Sequence, residues 1–166
     1  MSQLSYDSPL LVRDAQGRYL PASAEQILEA ARQIIDQKVA RGDVFSSPML
    51  VKSYLRTKLA GYDHEVFAVL LLDTRHALIA YVEMFHGTID QAAVYPREIV
   101  KLALKHNAAA AILSHCHPSC NNEPSRADEV MTRRLRDALA LVDVRMLDHI
   151  IVAGATTVSF SERGLL

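Results

Sequence analysis

Three side chains in the second half of the chain have the types and spacing of a metal centre. His115 and His117 are one residue apart. On an extended backbone side-chain direction repeats every two residues, so both imidazoles emerge on one side and can share an ion. Asp128 follows His117 by eleven positions, beyond a Pro- and Asn-rich turn that can fold back and bring in a carboxylate as third ligand. Two imidazoles and a carboxylate form a ligand set of the catalytic zinc type, which leaves one coordination position open for water. Such a site is suited to metal-assisted hydrolysis. An H-x-H pair alone is a weak sign; its delivery by a strand and the well-spaced aspartate strengthen it.

The neighbouring elements must place these groups. The run Ala108-Ala109-Ala110-Ala111-Ile112-Leu113 reads as a buried strand that carries the histidines at its end. Ser125-Arg126-Ala127-Asp128 fits an S-x-x-D helix start, in which the serine caps the helix and the carboxylate complements its positive end. Those two uses compete for Asp128, because a first-turn carboxylate aimed at a metal is not expected to close the cap as well. The helix that follows carries Ala127, Val130, Met131, Leu135, Ala138, Leu139 and Val142 on one stripe.

Further from the site, residues 66 to 72 form a nearly continuous apolar run, the pattern of a central strand covered on both faces. Residues 77 to 85 read as its neighbour through the turn Asp73-Thr74-Arg75-His76. Pro96 opens a helix with Ile99, Leu102 and Ala103 inward, and residues 144–152 and 157–160 read as closing strands. Toward the N-terminus, residues 1–22 read as loosely ordered around a turn at Asp14-Ala15-Gln16-Gly17. Ser23 and Gln26 form a capping box before a helix with Ile27, Leu28, Ala31, Ile34, Ile35 and Val39 at helical spacing, and Gly42 supplies a stop. A second helix starts at Ser47-Pro48 and presents Leu50, Val51, Tyr54, Leu55 and Leu59. Interleaved strands and helices give an α/β domain.

The order H-x-H-P then S-x-x-D resembles the JAMM signature of the MPN/JAB-domain metalloproteins. Together with Tyr95-Pro96-Arg97-Glu98, Asn107-Ala108-Ala109-Ala110, Leu147-Asp148-His149 and Ser159-Phe160-Ser161-Glu162-Arg163-Gly164-Leu165-Leu166, it is similar to the RadC family of that superfamily. The resemblance implies a single MPN/JAB-like domain over residues 46–166, a central mixed β-sheet flanked by helices. Residues 1–45 precede it as an N-terminal extension with one helix. It also implies one zinc per chain on His115, His117 and Asp128, and a peptide or protein substrate cut at a peptide or isopeptide bond. Ser125 would help hold the oxygen of the tetrahedral intermediate. The general base would be Glu65, which opens the run Glu65-Val66-Phe67-Ala68-Val69-Leu70; Glu83 and the nearer Glu123, expected to be mobile, are its rivals.

Two positions depart from the family pattern. Cys116 stands where relatives of this type have asparagine, and Cys120 where they have glycine. A thiolate near zinc can take the open position and convert an open site into a closed one, whereas small buried thiols would leave it alone. If the glycine normally holds positive φ, Cys120 must accept that conformation. Residues 1–60 also lack the Gly-hydrophobic-Gly hairpin of the DNA-binding module that many RadC proteins carry, so the chain is expected to be the short form. Asp148-His149 matches a family motif but receives no catalytic role here.

Composition narrows the alternatives. Lys plus Arg number 18 against 19 Asp plus Glu, so no strong electrostatic footprint for nucleic acid is expected, although a local patch stays open. No apolar run reaches the roughly 20 residues of a membrane helix, and the first residues lack a basic-then-apolar leader, so a cytoplasmic location is expected. In a reducing cytosol both cysteines would remain thiols. Three functions compete: a zinc-dependent metallopeptidase or isopeptidase, a non-catalytic MPN-type binding module, and a RadC-type DNA-repair-associated protein. A homodimer through the 157–160 edge is open as well.

Overall fold

A computed structural model describes residues 9–39, 41–87 and 94–166. Leu11–Arg13 (β1) and Tyr19–Pro21 (β2) pair as a small antiparallel hairpin. The expected turn joins them: Asp14 Oδ1 accepts from the backbone N–H groups of Gln16 at 2.9 Å and Arg18 at 2.8 Å. The expectation of loose order is therefore corrected for this stretch, because one aspartate satisfies the turn's donors; residues 1–8 lie outside the described residues.

Helix α1, Ala24–Lys38, begins at the expected reciprocal cap, with Gln26 N–H donating to Ser23 Oγ and Ser23 N–H to Gln26 Oε1. It buries none of its residues completely. Instead it lies against α2, Pro48–Lys58, where Arg32 donates to the carbonyls of Lys58 (3.2 Å) and Ala60 (2.6 Å) at that helix's end. Close approach there requires Gly61: its φ is +79° and a Cβ would collide with Leu28 of α1. Helix α2 turns Val51, Tyr54 and Leu55 to the core. Leu50 is exposed, contrary to expectation, because a stripe at 51, 54 and 55 leaves it on the solvent side.

Strand β3, Val66–Leu72, is the middle of the fold and every residue of it is buried. It pairs antiparallel with β4, Leu78–His86, and with β5, Ala110–Cys116. Between them in the chain lies α3, Pro96–Lys105. After β5 come α4, Arg126–Ala140, then β6, Arg145–Ala153, and β7, Thr156–Ser159. The mixed sheet has the order β4-β3-β5-β6-β7; β5 and β6 are parallel, as a helical crossover allows.

Helices cover both faces, which explains the unbroken apolar run of β3. On one face Phe67, Val69, Leu71 and Leu113 meet Ile99 and Ala103 of α3 and Leu135 and Leu139 of α4. On the other Val66, Leu70, Ile112 and Ile150 meet Val51, Tyr54 and Leu55 of α2. The architecture is the expected α/β domain with a central mixed sheet.

One boundary matters for chemistry. The strand expected at 108–113 runs instead from Ala110 to Cys116, so His115 lies inside the sheet. Polar residues do not end it, because their groups are satisfied there: the buried Ser114 hydroxyl donates to Ile150 O at 2.7 Å.

Candidate metal centre

The centre forms where the C-terminal end of β5 meets the first turn of α4, the end of parallel strands where open α/β sheets place their sites. Strand alternation puts Cys116 on the α2 face and His115 on the α3–α4 face. His115 is buried, and His117 follows on the turn, its N–H donating to Val152 O at 2.9 Å. Ring nitrogens of His115 and His117 and a carboxylate oxygen of Asp128 lie within 4.8 Å of one another. The two Nε2 atoms are 2.9 Å apart, with Asp128 Oδ1 3.4 Å from His115 Nε2 and Oδ2 3.8 Å from His117 Nε2.

The donor set fits a cation. His117 Nδ1 is 2.6 Å from Asn121 O, a carbonyl that only accepts, so Nδ1 carries the proton and Nε2 is left as a lone pair facing the others. Neutral imidazoles presenting lone pairs beside a carboxylate are the protonation states that zinc ligation requires.

Asp128 resolves the competition described above by using its two oxygens differently. Oδ2 closes the cap, accepting from Ser125 N–H at 2.8 Å and from Ser125 Oγ at 2.7 Å. Oδ1 turns toward His115. The expectation that one carboxylate cannot do both is thus corrected: a carboxylate has two oxygens, and the helix start orients one by engaging the other. Ser125 is the N-cap of α4, its Oγ accepting from Asp128 N–H at 3.1 Å.

The three acids considered as general base are widely separated in setting. Glu65 is half-buried and directly precedes β3, whose Phe67 pairs with His115 of β5. Gly87 N–H donates to Glu65 O at 2.8 Å and keeps its backbone in line with β3. Glu83 pairs with Ala68 and therefore faces the opposite side, where its oxygens accept from the Tyr62 and Tyr81 hydroxyls, both at 2.8 Å. Glu123, expected to be mobile, is held by Arg163 through two bonds of 2.7 and 3.1 Å.

Neither cysteine joins the group of donors. Cys116 lies in the core on the far face, where its sulfur accepts from Val66 N–H at 3.3 Å; burial pushes its thiol up, and the charges of Glu65 and Glu83 add to that push. Cys120 is exposed, at φ +58°. A β-carbon costs roughly 1–2 kcal/mol in that left-handed region. Cys120→Gly is therefore expected to raise stability by about 1 kcal/mol in urea unfolding, without loss of metal. A destabilised variant would contradict this.

Sequence reasoning noted His149 as part of a motif without giving it a role, and it missed Thr132. Both are fully buried, and His149 reaches His115 Nδ1 through Nε2 at 2.8 Å and Thr132 Oγ1 through Nδ1 at 2.6 Å. The imidazole of His149 stacks on Phe160, with ring centroids 4.8 Å apart. A histidine inside the apolar strand 144–152 was the available signal, but only the β5–β6 pairing shows which face it takes. Burial lowers the pKa of His115 to about 4, with Asp128 acting to raise it and His117 to lower it; burial also holds His149 well below its ordinary 6.5. Unfolded histidines therefore bind more protons than folded ones between pH about 6.5 and about 4. Stability of the metal-free chain is expected to fall as pH drops through that window. Urea midpoints measured from pH 7 to pH 4 check this; a flat profile would contradict it.

Fold and site together define an α/β domain with a His/His/Asp centre able to hold a metal ion. The RadC-like JAB domain family matches residues 45–165, and the chain belongs to that family. It is 59% identical over 145 residues to a UPF0758 protein of Methylibium petroleiphilum, covering 87% of this chain and 65% of that protein. A UPF0758 protein of Thioalkalivibrio sulfidiphilus is 56% identical over the same shares of each. One from Vibrio cholerae is 54% identical over 87% of this chain and 91% of its own length. The chain thus spans about two thirds of the longer relatives. No helix among the described residues is long and apolar enough to cross a membrane.

Proposed function

We propose that this protein is a zinc-dependent hydrolase of the JAMM type, acting on a peptide or isopeptide bond. The observation that supports the reading most directly is the convergence of His115, His117 and Asp128 donor atoms within 4.8 Å, with Glu65 two residues before Phe67, the β3 partner of His115. A zinc ion held by those three residues would supply Lewis acidity, making water at the site a better nucleophile near neutral pH. Glu65 takes the proton from the attacking water and delivers it to the departing amine. Ser125, whose hydroxyl is engaged by Asp128 at 2.7 Å, turns its O–H toward the oxygen that becomes negative. Asp128 meanwhile keeps the Ser125 backbone N–H at 2.8 Å, so the helix start stays in place as that hydroxyl turns.

Quenched peptide pools and isopeptide-linked conjugates, incubated with zinc-loaded protein, test the reading. Cleavage that stops on chelation and returns with zinc is expected. Zinc uptake without cleavage of any member would overturn the hydrolase and leave a non-catalytic binding module. Duplex DNA binding with a steep salt dependence would instead favour the repair-associated alternative.

A further inference from the structure

Behind the metal centre runs a buried row of groups, Asp128 carbonyl, Thr132 hydroxyl, His149 and His115, linked at 2.6, 2.6 and 2.8 Å, and ending at His117 Nε2 2.9 Å beyond His115 Nε2. Thr132 and His149 have no exposed surface, and His115 is 2% exposed, so each link is satisfied by the next and not by solvent.

The direction of each link follows from its acceptors. Asp128 O is a carbonyl and can only accept, so at 2.6 Å the Thr132 hydroxyl donates its single proton there. The threonine oxygen is left as the acceptor for His149 Nδ1–H, and His149 Nε2 accepts from His115 Nδ1–H. That order leaves the His115 Nε2 lone pair facing the His117 Nε2 lone pair at 2.9 Å, which a cation between the rings would relieve.

Resting on the zinc reading above, we infer that Thr132 and His149 are positioning residues whose hydrogen bonds fix the proton of His115 on Nδ1 and so present it as an Nε2 ligand. His117 is fixed in the same sense, since Asn121 O holds its Nδ1–H.

Long-range proton–nitrogen spectra of the histidine rings, recorded with and without zinc, read the arrangement without any assay of hydrolysis. His115, His149 and His117 are all expected to carry Nδ1–H in the zinc-loaded chain. Thr132→Val removes the acceptor that His149 Nδ1–H needs, and is expected to weaken zinc binding about 10- to 100-fold in chelator competition. Thr132→Ser restores the hydroxyl and is expected to restore both the affinity and the spectrum, which a purely packing role for the threonine methyl would not do. An Nε2–H on His115 or His149 in the zinc-loaded chain, or wild-type affinity in Thr132→Val, would overturn the inference while leaving the hydrolase reading standing. A wild-type chain that takes up no zinc would overturn both.

Discussion

Replacement of His117 by alanine is expected to strip the protein of its metal. Wild-type chain purified without chelator or affinity metal should carry about one zinc, and the variant essentially none, by mass spectrometry. The magnitude follows from what is removed. Losing a residue that merely orients a ligand costs about 10- to 100-fold in affinity, so losing one of three ligands must cost more. His117 can be tested cleanly because it lies on the turn after β5, outside the sheet ladder, so its removal leaves the strand pairing of β5 intact. Cys120→Gly serves as the companion variant and is expected to keep its zinc, since neither cysteine stands among the converging donors. Zinc that depended on Cys120, or never bound, would end the hydrolase reading.

Substitution of Glu65 by glutamine should separate binding from turnover. The amide keeps the size of the side chain and removes its capacity to carry a proton. Zinc content is expected to be unchanged, while the rate of cleavage of any peptide that the wild type cuts falls by about 10²- to 10⁴-fold, the usual contribution of a general base. The two rival acids give the contrast. Glu83→Gln disturbs an acceptor shared by two tyrosine hydroxyls on the opposite face, so its effect belongs in stability. Glu123→Gln loosens the Arg163 pair at the surface and should leave the rate close to that of the wild type. Full activity in Glu65→Gln would place the base elsewhere.

Much of the architecture was legible because local rules govern it. The Ser23–Gln26 and Ser125–Asp128 caps, the proline openings of α2 and α3, and the two-sided burial of residues 66–72 are written in spacings of three, four or two residues. The β1–β2 hairpin was missed because its strands are three residues each and too short to display a period. The end of β5 was placed early because Ser114 and His115 look like loop residues until the Ile150 carbonyl and His149 are set beside them.

At the site, the sequence by itself determined which atoms are available: two imidazoles at a separation of two, a carboxylate in the first turn of a helix, and a serine to cap that helix. Those relations are short in the chain, and backbone geometry fixes them. Tertiary structure decided how the atoms are used. Only the β5–β6 register brings His149 to His115, and only the passage of α4 across the same face brings Thr132 to His149. The division of Asp128 between cap and centre was likewise invisible, since a sequence names a carboxylate without saying where each oxygen points. Contacts between residues 17 or 34 positions apart depend on sheet order and helix placement, which emerge from packing the whole chain and from no segment of it.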